Sequence, residues 1–184
     1  MMLPEEFCER WDADKNGPLI KIDKESLNSA PFSEEVKGFL SIGGLPETPA
    51  PYFEFTSMSS FLKPIINVFN MPEEFGKYYF LGTTGSGNPI CIIEKQGYIV
   101  YLDNGNNFLE VFINSSIKQF AHCLLVYAQM IDKAIEKNGE DAFIDLDIPA
   151  SIIHWLSGEF ERIDSKCMEN GNFWFDEVES LYGS

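Results

Sequence analysis

Apolar and polar positions follow two rhythms along this chain, and the change from one to the other divides it. Between residues 78 and 113, short apolar and aromatic runs are closed by glycine or asparagine. They predict strands at 78–83, 90–94, 98–103 and 110–113. Lys95-Gln96-Gly97 and Asn104-Gly105-Asn106 supply the turns, with Asn and Gly providing positive φ. Links of a few residues cannot make parallel crossovers, so the segment predicts an antiparallel meander. The spacing then turns helical: Ile117, Phe120, Ala121, Leu124, Ala128, Ile131 and Ile135 share one face. Ser116 and Gln119 fit a capping box, the hydroxyl accepting from the helix N-terminus and the amide reaching back. Asn138-Gly139 stops this 116–137 helix after Lys137.

The flanks are read in the same way. Phe7 and Trp11, four apart, predict a short helix over 3–12. A second spans 33–42, capped by Ser33, with Val36, Phe39 and Leu40 inward and Gly43-Gly44 at its end. The proline-rich passage 44–51 is extended and leads into a strand at 52–56. Residues 57–74 allow two readings: a helix interrupted by Pro64, or a loop packed over the sheet. Pro149 starts a further helix with Ile152, Ile153, Leu156 and Phe160 along it. A last one over 172–181 turns Phe173, Trp174, Val178 and Leu181 inward. The fold class is α+β: a largely antiparallel sheet of five or six strands flanked by helices. At 184 residues and 45% hydrophobic, one domain over 1–184 is expected.

Charge changes the picture more than composition does. There are 29 acidic and 13 basic residues, net −16, and from Asp132 onward the balance is 13 to 4. Phosphate backbones repel such a surface, so nucleic acid is not the expected partner. A basic protein is, because opposite fields speed association; the plainer reading is that the charge serves solubility. Cys8, Cys91, Cys123 and Cys167 are scattered, with no zinc-ligand spacing, and read as free buried thiols in a reducing cytosol. The acidic N-terminus is unlike a secretory signal, and no long apolar run predicts a membrane span. A cytoplasmic location is expected.

Candidate chemistry is thin. Gly82-Thr83-Thr84-Gly85-Ser86-Gly87 invites a phosphate-loop reading, but Pro89 and a strand follow where a helix N-terminus is needed. Asp103-Asn104-Gly105-Asn106-Asn107 fails as an EF-hand loop, with Phe108 at its sixth position and Asn114 at its twelfth. His122 and Cys123 are neighbours on a helix and so point apart, which defeats a nucleophile pair. His154, the other histidine, reads as structural. Glu140, Asp141, Asp145 and Asp147 could bind a metal or perform acid–base work, but without nearby histidines a solvated acidic loop is the better reading. No catalytic residue, metal or cofactor is assigned.

Several blocks together resemble a known family. They are Phe39-Leu40 leading to Gly44-Leu45-Pro46, Phe80-Leu81-Gly82, and the strand pair Ile90-Cys91-Ile92-Ile93 and Tyr98-Ile99-Val100-Tyr101 joined through Gly97. Ile113-Asn114-Ser115-Ser116 is followed by Phe120, Leu124 and Tyr127, and near the end stand Ile163-Asp164 and Phe173-Trp174. In order and spacing, from about residue 36 to 181, the chain resembles the fourth immunity-protein subfamily of the SUKH superfamily, which is related to a fungal family of cell-wall-synthesis regulators. The resemblance implies an α+β fold with a mixed-order, largely antiparallel sheet. It also implies a cytoplasmic antidote that binds and neutralises a toxin domain, often a nuclease or another nucleic-acid-modifying enzyme, and it brings no catalytic residues.

Three functions follow. The first is an immunity protein whose convex acidic face plugs the active site of a basic toxin. The second is an intracellular scaffold or signalling regulator on the same fold. The third is a small enzyme or ligand-binding protein with a pocket near Asp103 or Asp145. For the first, the expected partner-binding carboxylates are Glu47 and Glu54, around the proline-rich turn and first strand, and Asp103 and Glu110, around the hairpin.

Overall fold

The structure is a computed structural model, and it describes residues 2–55 and 60–183. In chain order the helices are α1 (Pro4–Arg10), α2 (Ala13–Asn16), α3 (Lys24–Leu27), α4 (Glu34–Gly38), α5 (Ile65–Phe69), α6 (Ile117–Asn138), α7 (Ala150–Ile163) and α8 (Phe173–Ser180). The strands are β1 (Leu19–Ile20), β2 (Leu45–Pro46), β3 (Phe53–Glu54), β4 (Tyr78–Thr84), β5 (Pro89–Ile93), β6 (Ile99–Asp103) and β7 (Leu109–Asn114).

β3 to β7 form one five-stranded sheet in which every neighbouring pair is antiparallel. Its spatial order is the chain order, so the mixed order implied by the resemblance is replaced by a plain meander, with short turns joining β4 to β7 and a longer segment carrying α5 between β3 and β4. Thr56, at the end of the predicted first strand, and residues 57–59, at the start of the segment with two readings, lie outside the described residues. Beyond them Pro64 opens a helix instead of interrupting one. It is the N-cap of α5, where a missing N–H costs nothing, and it bridges Tyr79 on β4. In the described part of the segment, Ile65–Phe69 is helical and Ile65 packs on the sheet. β1 and β2 form a separate two-stranded ladder that no alternation announces, since two residues carry no period.

The sheet is covered on both faces. Leu81, Ile90, Ile92, Ile99 and Ile113 belong to the main core with α6, α7 and α8. Tyr78, Cys91, Ile93, Val100 and Leu102 form a smaller core with Ile65, flanked by Ile66, Met71 and Phe75. This is why β5 reads as an unbroken apolar run: all of its residues are buried.

α6 starts at Ser116, whose Oγ accepts the Gln119 backbone N–H at 3.3 Å. The other half of the predicted capping box differs. The Gln119 Oε1 accepts the Ser116 hydroxyl, and its Nε2 reaches across to donate to the Ile163 carbonyl, joining two helices. Ile117, Phe120, Ala121, Leu124 and Ala128 are buried as expected, whereas Ile131 and Ile135 are half-buried because the last turns of α6 emerge from the core. Phe120 packs on Phe53 and Phe55, with ring centroids 5.7 and 6.0 Å away, and Trp174 stacks against Phe160 at 4.6 Å. Ser33 caps α4 as predicted, but the helix widens into a π-turn over Phe39–Gly43 before Gly44 ends it at φ 74°. In the β6–β7 turn the positive φ falls on Asn107 and Phe108, not on Gly105.

Candidate interaction surface

The sheet sorts the four expected carboxylates into two pairs. Glu47 follows β2, and its backbone is clamped: its N–H donates to the Pro18 carbonyl at 3.0 Å and its carbonyl accepts from Phe55 at 2.9 Å. That second bond sets Glu47 beside Glu54, which lies exposed on edge strand β3 opposite Thr83. This edge depends on Gly82, where a Cβ would come within 2.2 Å of the Glu54 carbonyl oxygen. On the far edge, the Asp103 carboxylate accepts the Gly105 N–H at 3.0 Å and so caps the turn over Asn104–Asn106. Glu110, on β7, accepts the Tyr78 hydroxyl at 2.6 Å and lies 3.9 Å from Lys77 Nζ. Burial, and then the bond to Glu110, push the Tyr78 hydroxyl well above its ordinary pKa. With inter-strand steps of about 4.8 Å, Glu110 on β7 stands about 19 Å from Glu54 on β3, and Asp103 at the end of β6 about 14 Å. They make two edges of one charged surface, not a single cluster.

A polar cleft of about 500 Å³ lies between α1, α6 and α7, lined by Glu6, Arg10, Lys118, His122, Glu159 and Arg162 among others. Residues 118 and 122 come from one stripe of α6, one turn apart. Both arginines of the chain border this cleft, yet each is held by a carboxylate of its own helix: Arg10 by Glu6 at 3.2 Å, and Arg162 by Glu159. Lys118 reaches Glu35 at 2.7 Å. His122 is half-buried, and burial draws its pKa down, with Arg10 and Arg162 adding to the effect. Cys123 lies on the opposite side, fully buried, where Asn114 Nδ2 donates to its sulfur at 3.5 Å. The geometry thus separates the two groups as helical spacing requires. His154 Nδ1 sits 2.7 Å from the Ala150 carbonyl, and its ring meets Tyr182. Among the described residues, no three His, Cys, Asp or Glu side chains are grouped to hold a metal ion.

The glycine-rich bend is a hairpin tip. Gly87 adopts φ 78°, the Asn88 N–H donates to Thr84 Oγ1, and Asn104 Nδ2 from the neighbouring turn donates to the Gly87 carbonyl at 2.9 Å. β5 follows it directly, where a phosphate loop would open a helix.

The residues that matter most for the architecture were visible in the sequence only as separate fragments. Asn114 Nδ2 donates to Asp164 Oδ2 at 3.1 Å, and Asn114 Oδ1 accepts Trp174 Nε1–H at 2.8 Å. The Ser115 backbone N–H and hydroxyl donate to the two Asp164 oxygens at 2.7 and 2.9 Å. Asn114, Asp164 and Trp174 are all buried, so one carboxylate taking three donors ties the end of β7 to the ends of α7 and α8. The Asn-Ser-Ser block is thus a clasp between strand and helices. Between α6 and α7, Glu140, Asp141, Asp145 and Asp147 are exposed, and their side chains have no hydrogen-bond or ion-pair partner among the described residues.

The family model described as SUKH-4 immunity protein matches residues 5–179. No curated protein and no solved structure matches the chain.

Proposed function

Because the chain belongs to the SUKH-4 immunity protein family, whose partners are in general protein toxins, we propose that it neutralises a cognate toxin in the cytoplasm by covering a basic substrate groove. The match over residues 5–179 carries this reading. Net charge supports the finer part: a chain at −16 attracts a cationic surface and repels the nucleic acid that such a groove serves. A nuclease or another nucleic-acid-modifying toxin is the partner class whose groove has that charge. Inhibition is by occlusion, with the whole of residues 1–184 acting as one domain and no metal, cofactor or catalytic step involved. Glu47 with Glu54, and Asp103 with Glu110, supply attraction from two edges of the sheet. Charges three and four strands apart act together through their long-range field rather than as one contact. Among the described residues, no helix is long and apolar enough to cross a membrane.

Co-expression with the toxin domain encoded beside its gene tests the proposal. Cells carrying the toxin alone should arrest, and cells carrying both should grow. Continued arrest with soluble, full-length protein present would refute the assignment.

A further inference from the structure

Four acids are interleaved with apolar residues from Glu140 to Ile148, and the structure sends the apolar ones to opposite sides. Ala142 and Ile148 are buried, and Phe143 is half-buried with its ring against Tyr127 at 6.1 Å. Ile144 and Leu146 point the other way and are 78% and 50% exposed. The loop is braced on itself. The Ala142 N–H donates to the Gly139 carbonyl, and Asp145 donates to Asp141 and Asp147 to Ala142, the last two at 2.8 Å. Asn138 Nδ2 closes the base by donating to the Asp147 carbonyl at 2.8 Å. Leu146 is held at φ 54°, a conformation a leucine adopts only under constraint. Two large apolar side chains are therefore displayed on a fixed support, between four carboxylates that nothing in the described structure neutralises. No Lys or Arg occurs between Lys137 and Arg162 to offset them.

Resting on the assignment of a protein toxin as partner, we propose that residues 139–149 are the contact element. Ile144 and Leu146 enter an apolar recess on the toxin, and Glu140, Asp141, Asp145 and Asp147 meet its basic rim. An apolar centre inside a charged rim is the arrangement in which a few residues dominate binding. Charge selects this occupant over a second copy of the chain, which would bring net −16 against net −16 through one of its most acidic loops.

The test measures binding of the purified full-length protein to the purified, catalytically inactivated toxin domain from the neighbouring gene. Ile144→Asp and Leu146→Gly should each weaken Kd by about ten-fold or more, through faster dissociation. The effect should persist in about 1 M salt, where screening cuts the field to about 3 Å. Melting temperature should hold, because Ile144 is exposed and glycine relaxes the positive φ at Leu146. Leu3→Asp, at an exposed apolar site just before α1, is the control and should leave Kd unchanged. A folded double variant that binds as tightly as the parent overturns this proposal while leaving growth rescue intact. A parent protein that neither binds nor rescues brings down both. Self-association abolished by Ile144→Asp would show that a second copy occupies the loop, and would overturn the proposal as well.

Discussion

Phe120 and Glu177 show at the scale of single residues what burial does to an apolar and to an ionisable side chain. Phe120 is fully buried between the aromatic rings of β3 and its neighbour Phe55, so Phe120→Ala should destabilise the fold by about 3–5 kcal/mol in urea titration. Glu177 accepts the Tyr127 hydroxyl, and burial raises its pKa. A folded-state value above the unfolded one means that the native protein holds the extra proton. Stability is then greatest below the unfolded value of about 4.3 and falls as pH rises through the raised one. Glu177→Gln keeps an acceptor for Tyr127 and removes the titration. The difference in unfolding free energy between parent and variant should therefore shift in the variant's favour across that window. A difference independent of pH would show that Glu177 titrates alike in both states. Cysteines follow the same logic: Cys91, Cys123 and Cys167 are buried, and burial raises the thiol pKa of the first two, whereas Cys8 is only half-buried. A thiol reagent should therefore label Cys8 first in the native protein and reach the other three only on unfolding.

At the scale of elements, what could be read ahead of the structure was whatever short-range chemistry decides. Ser33, Ser116 and Pro149 mark helix starts because a cap acts within one turn, and the β4–β7 meander was legible because its turns span only a few residues. What escaped depends on distance along the chain. The β1–β2 ladder joins residues 19–20 to 45–46, and the clasp joins Asn114 to partners 50 and 60 positions later. Residues so far apart carry no mutual period, so the fragments could be recognised but not connected. Of the candidate site, the acidic residues between α6 and α7 were legible as charge. That Ile144 and Leu146 face outward among them was not, because an exposed isoleucine contradicts the pattern from which burial is inferred. Asp164→Asn should cost about 3 kcal/mol in the same titration, since its amide would set a donor against donors from Asn114 and Ser115. A loss no larger than at an exposed site would mean the clasp is dispensable. Gly82→Ala, with a Cβ 2.2 Å from the Glu54 carbonyl oxygen, should detach β3 and raise hydrogen exchange there.

For the whole molecule, the open question is whether net charge serves the partner or only the solvent. Glu47→Lys and Glu54→Lys, combined with Asp103→Asn and Glu110→Gln to spare their hydrogen bonds, move the net charge from −16 to −10. Association with the toxin domain should slow several-fold at low salt, with little change in dissociation, and the difference should close as salt rises. Rates indifferent to both salt and substitution would assign the charge to solubility. The clasp has its own consequence for a protein made from its N-terminus onward. The meander and α6 can assemble as they are synthesised, but Asn114 lacks its buried partner until Trp174 has been added, 60 residues later. An interrupted or prematurely terminated product is thus left with an unsatisfied polar group at the centre of its core. The clasp therefore closes as a single event, only once α8 has been added.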